Sequence, residues 1–74
     1  MIKVLFRNAR KEEREIGLAN ERSEAFKVIN DFLNERNYKS YYSRTWKDND
    51  GREWIDVGSW SEFFILEEIE NDND

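Results

Sequence analysis

The residues of this chain that could do ionic or acid–base chemistry are mostly carboxylates. Its 74 residues include 17 Asp and Glu against 12 Lys and Arg, with neither His nor Cys. Without imidazole or thiol, the usual general bases and sulfur nucleophiles are missing. Disulfides and zinc-finger sites are excluded by the same count, and a reducing compartment is compatible. Paired carboxylates could in principle serve glycoside hydrolysis, but so short a chain builds no deep cleft, and no enzyme is expected. Asp48-Asn49-Asp50-Gly51 invites comparison with a calcium loop, which needs oxygen ligands at positions 1, 3 and 5, Gly at 6 and Glu at 12. With Gly51 at position 6, Trp46 and Val57 occupy positions 1 and 12, and neither can ligate. The stretch reads as a hairpin turn instead. No metal and no cofactor is expected.

The acids are unevenly placed: residues 1–37 balance to +1 and residues 38–74 to −6. Asp48, Asp50, Glu53, Asp56, Glu62, Glu67, Glu68 and Glu70 lie in the acidic half, with Asp72 and Asp74 beyond them. Held on a rigid sheet, such carboxylates could offer spaced negative charge to a basic groove that normally takes phosphates. The competing reading is that they keep a small, sticky protein soluble. Direct nucleic-acid binding is not expected, because the acidic half opposes a polyanion even where aromatic rings could stack on bases. Arg7, Arg10, Lys11 and Arg14 alternate with Glu12, Glu13 and Glu15 and read as solvated loop charge.

The elements that must position these groups follow from periodicity. Between Ser23 and Asn37, a turn of 100° per residue gathers Ala25, Phe26, Val28, Ile29, Phe32 and Leu33 on one side of a helix. Ser23 suits the N-cap, with Asn20 as a second candidate, and Asn37 can take the left-handed conformation that ends a helix. Met1 to Arg7 alternates as a strand, and Arg14 to Ala19 does so again with Ile16 and Leu18 on one side. Residues 8–13 between them read as a long hairpin tip. Tyr38–Lys47 and the Trp54 region form a second hairpin about the Asp-Asn-Asp-Gly turn, and residues 62–69 form a last strand. Either a two-residue or a four-residue turn puts Arg44 and Trp46 beside Ile55 and Val57, and Thr45 beside Trp54. The expected fold is α+β: a β-hairpin, one helix and a three-stranded meander, making an antiparallel sheet with the helix packed on one face. Residues 1–69 are expected to form a single domain, and 70–74 a disordered acidic tail.

One helix covers one face of a sheet, yet apolar residues occur on both. Leu5, Tyr41 and Trp54 fall opposite the apparent core residues of their strands. Phe64 and Leu66 oppose Phe63 and Ile65, and Trp60 has no evident place. An apolar face of this kind marks a contact surface. These residues therefore predict a homodimer or a partner interface, unless a bulged sheet curls and buries both sides within one chain.

The tail EEIENDND, the small size, the acidic balance and the missing Cys and His resemble the small host-takeover and anti-defence proteins of bacteriophages of Gram-positive bacteria. That resemblance lies in composition, and it implies a non-enzymatic inhibitor in the host cytoplasm. Such an inhibitor would bind a basic host protein, such as a DNA-binding protein, by mimicking DNA. The alternative is a structural or assembly protein acting through its apolar sheet face. No stretch approaches the ~20 apolar residues of a membrane span, and the N-terminal VLF run is too short for a signal peptide.

Overall fold

The helix is where the chain's periodicity becomes a core. In the computed structural model, which describes residues 1–38 and 43–69, α1 spans Arg22–Glu35. Ala25, Ile29 and Leu33 are its buried residues, each one turn from the next, with Phe26, Val28 and Phe32 packed at their flanks. Its start differs from expectation. Glu21 is the N-cap, and Ser23 lies inside the first turn, with its hydroxyl donating to the Glu21 carboxylate at 3.0 Å. No side chain caps the first turn; the Glu24 carboxylate instead reaches back past the N-cap and accepts from the Asn20 N–H at 2.9 Å. The end is as read. Asn37 is left-handed, at φ 56°; its N–H donates to the Asn34 carbonyl and that of Tyr38 to the Leu33 carbonyl. Those two bonds form the Schellman closure of a helix.

Among the described residues, five strands form one antiparallel sheet: β1 (Ile2–Arg7), β2 (Glu13–Ala19), β3 (Arg44–Lys47), β4 (Glu53–Asp56) and β5 (Phe63–Glu68), in the order β2-β1-β5-β4-β3. The chain is α+β, with its helix against one face of the sheet. No helix among the described residues is long and apolar enough to cross a membrane.

Between the helix and the sheet sit Val4, Phe6, Ala19, Ile55, Val57, Phe64 and Leu66, with Ala25, Ile29 and Leu33 of α1 above them. Phe6, Phe32 and Phe64 meet ring to ring at 4.9–5.7 Å. The placement of Phe64 and Leu66 corrects the expectation that they line an interface. They pair with Phe6 and Val4 across β1–β5, so they share the helix-covered side and are 1% and 5% exposed. Strand β5 is apolar on both sides because it is interior to the sheet. Its alternation therefore does not mark the outer face.

Both hairpins close the same way, and neither as expected. Asn8 and Asp48 each accept, at Oδ1, the backbone N–H groups of the residues two and four further on. In each hairpin, the residue two before the returning strand is left-handed, Lys11 at φ 68° and Gly51 at φ 82°. These are three-residue loops with a bulge-type exit. The first tip is therefore tight rather than long. In the second, the odd count shifts pairing by one residue relative to either expected turn. Trp46 lies opposite Trp54 and Arg44 opposite Asp56, so Arg44 and Trp46 face away from the helix rather than towards Ile55.

A register shift in β2 opposite Val4 and Leu5 separates Ile16 from Leu18 as well. Ile16 packs on the core, whereas Leu18 is half exposed. Tyr41, Glu70 and the expected tail 70–74 lie outside the described residues.

Candidate partner-binding face

The face of the sheet without a helix carries the remaining chemistry. By register it presents Lys3, Leu5 and Arg7 from β1, Phe63, Ile65 and Glu67 from β5, Trp54 and Asp56 from β4, and Arg44 and Trp46 from β3. Most of it is closed by the chain itself. Glu13 on β2 is clamped by Arg7 at 3.1 Å and by Arg52 at 2.9 Å, a bridge that spans β1 and β5. On those two strands Leu5 is 7% and Ile65 0% exposed. Leu5 is therefore no contact residue, contrary to expectation. Arg7 and Glu13, read from sequence as solvated loop charge, are structural.

Beside this bridge is an aromatic cluster. Trp46 stacks on Trp54 with centroids 6.1 Å apart and planes at 19°. Phe63 meets both edge-on at 6.0 and 5.6 Å. The Arg7 guanidinium lies 5.1 Å from the Trp54 centroid. Trp54 is further fixed by its indole N–H, which donates to Asp48 Oδ2 at 2.8 Å. It is half-buried and held from three sides, so it supports the cluster more than it displays it.

Exposure is concentrated at the outer corner. Trp46 is 42% exposed and Trp60, in the β4–β5 connection, 99% exposed. With Arg44, Phe63, Gly58 and Ser59 they border a shallow groove over Asp56. Asp56 is buried, accepting from Arg44 at 3.1 Å and from the Gly58 N–H at 2.8 Å. The groove therefore has a rigid floor and two indole rings on its rim. Trp60 was legible from sequence as an unplaced aromatic. Trp46 and Arg44 were not, because the signal that could have found them is the turn register, and Phe63 was not, because a strand apolar on both sides does not say which side the helix takes.

The expected acidic surface is dispersed, and most of its described members are paired. Of its seven described members, six have a cation of the same chain within 4.0 Å. Asp48 pairs with Arg52, Glu53 with Arg22, Asp56 with Arg44, Glu62 with Arg36, Glu67 with Lys3 and Glu68 with the N-terminal ammonium. Asp50 is exposed at the loop tip. The acids also divide between the two faces, since Glu53 meets the helix start while Asp56 lies on the opposite side.

Two of these carboxyl groups, Glu53 and Asp48, and Glu13 of the bridge above titrate below their ordinary range. For Glu13 the main cause is the hydrogen bond from Arg52, helped by Arg7 and opposed by partial burial. For Glu53 it is the hydrogen bond from Arg22, and for Asp48 that from the Trp54 indole, with backbone donors Arg52 and Asp50 adding to it. Asp48 thus spends both oxygens inside the hairpin, and no metal-type cluster of acids occurs among the described residues. Compared with protein-family models, with curated proteins and with solved structures, the chain has no match.

Proposed function

We propose that this chain is a non-enzymatic binding module that holds a protein partner by the β3 corner of its helix-free face, with Trp46 and Trp60 as anchors. One observation carries this reading. Trp60 is almost wholly exposed beside a half-exposed Trp46, while the other described large apolar side chains apart from Leu18 are covered. Tryptophan is enriched among the energetic centres of protein interfaces, and a side chain held in place before binding loses less freedom on binding. The stack on Trp54 and the Phe63 edge contact preorganise Trp46 in that way.

Acidic mimicry of DNA loses support, because the acids divide between the two faces of the sheet and six of the seven described ones are tied to cations of the same chain. The homodimer expected from sequence presupposed a bare apolar face. Among the described residues, what remains bare at this corner is two indoles, at most ~400 Å², against roughly 800 Å² per partner in a stable interface. A partner that supplies further contacts fits better than a second copy does. The resemblance to phage takeover proteins makes a host protein the first class to test.

The test is photo-crosslinking from position 60, with a photoreactive phenylalanine replacing Trp60, in host lysate at low and high salt. The expected result is one dominant adduct that persists in high salt and disappears in the Trp46→Ala background. An adduct indifferent to Trp46, or one lost with added salt, would count against aromatic anchoring. Light scattering at micromolar concentration should give the mass of a single chain.

A further inference from the structure

Strand β3 is the outermost strand of the sheet, and all four of its residues are exposed. In an antiparallel pair, alternate residues of such an edge direct their N–H and C=O groups away from the sheet. The other edge, β2, is interrupted by its register shift, a device that turns an edge away from pairing. β3 has no such shift in its pairing with β4, and it adjoins the Trp46–Trp60 corner.

We infer that β3 accepts an added strand from the partner, an extended segment of the form acid–aromatic–β-branched–acid. The inference rests on the binding reading above and names what that site takes. Its argument is written in the chain. On the inner side of β3, β4 supplies Glu53-Trp54-Ile55-Asp56 against Lys47, Trp46, Thr45 and Arg44 in register. Each cation meets a carboxylate, indole meets indole, and Thr45 meets a β-branched residue. A strand added on the outer side lies beside the same four side chains. It therefore meets the same demands: a carboxylate beside Lys47, a ring beside Trp46 and a carboxylate beside Arg44. Trp46 is 42% exposed and so keeps surface for such a ring.

The test uses the full chain, isotope-labelled, and a synthetic peptide with Glu-Phe-Ile-Asp at its centre between Gly-Ser flanks. A charge-swapped peptide with Lys-Phe-Ile-Lys is the control. The readouts are backbone amide exchange across β3 and the indole N–H resonance of Trp46. The acidic peptide is expected to protect the outward amides of β3 and to shift the Trp46 indole. The swapped peptide should bind at least about fivefold more weakly, the effect of two cross-strand charge pairs. Lys47→Glu, at an exposed position, should narrow or reverse that preference while β1 and β5 amides keep their protection.

Equal binding of the two peptides, or unchanged β3 exchange, overturns strand addition. If the crosslink from position 60 still depends on Trp46 in either case, the aromatic-anchor reading stands without it. If that dependence is also absent, both fall.

Discussion

Gly17 is the residue whose side chain is fixed by what is not there. A Cβ built on it would lie 2.8 Å from Cγ1 and 3.3 Å from Cγ2 of Val28 on the helix. Valine is stiff about χ1, so its methyl groups cannot rotate away cheaply. Relief requires α1 to lift from β2, the strand on which it chiefly rests. Gly17→Ala is therefore expected to cost about 1–3 kcal/mol, the usual effect of overpacking. Urea unfolding followed by circular dichroism measures it, and an unchanged midpoint would refute the tight approach. The companion Gly17→Ala/Val28→Ala variant should regain part of the loss contributed by the clash.

At the scale of elements, the two hairpins are the same device built with different residues. Each has an Asn or Asp whose Oδ1 gathers two backbone N–H groups, and each leaves through a left-handed residue. In the second hairpin that residue is Gly51, with open space around it, and in the first it is Lys11. A side chain in the left-handed region costs roughly 1–2 kcal/mol, so the two positions should respond in opposite directions. Gly51→Ala is expected to destabilise by about 1 kcal/mol, and Lys11→Gly to stabilise by about 0.5–1 kcal/mol after the entropy of glycine is charged. Chemical denaturation of the two variants checks the pair, and equal signs would contradict it.

The same device explains what sequence could and could not disclose. The helix, its left-handed stop at Asn37 and the strand alternation of β1 were legible because periodicity and local conformation decide them. The Asp-Asn-Asp-Gly turn was legible as a turn. Its three-residue closure was not, because Asp48 sets it by capping two N–H groups at once. That one-residue difference moves Trp46 and Arg44 to the other face, and with them the candidate site. The burial of Phe64 and Leu66 was hidden for another reason. A central strand with apolar residues on both sides does not say which side the helix takes.

At the scale of the whole molecule, the acids act as ties rather than as a display. Arg22 and Glu53 join the helix start to β4, Arg52 and Glu13 join the second hairpin to β2, and Asp48 secures the Trp54 ring on which Trp46 rests. In the folded chain Glu13, Glu53 and Asp48 bind protons less readily than they do unfolded. Between the depressed folded values and the ordinary ones near 4, the unfolded chain holds more protons, so folding stability rises with pH in that window. The contribution is complete above about pH 5 and is lost as pH falls through the folded values. The urea midpoint should therefore hold steady from pH 7 to pH 5 and decline steadily below about pH 4.5. Glu13→Gln/Glu53→Gln should be less stable than the natural chain at neutral pH and should lose less on acidification, because two of the three titrating ties are already gone. The near-ultraviolet signal of the Trp46–Trp54 stack should fade over the same acid range, since protonated Asp48 grips the Trp54 indole less firmly. A midpoint that declines equally in the natural and doubly substituted chains would assign the acid sensitivity to general charge repulsion and remove these pairs from the account.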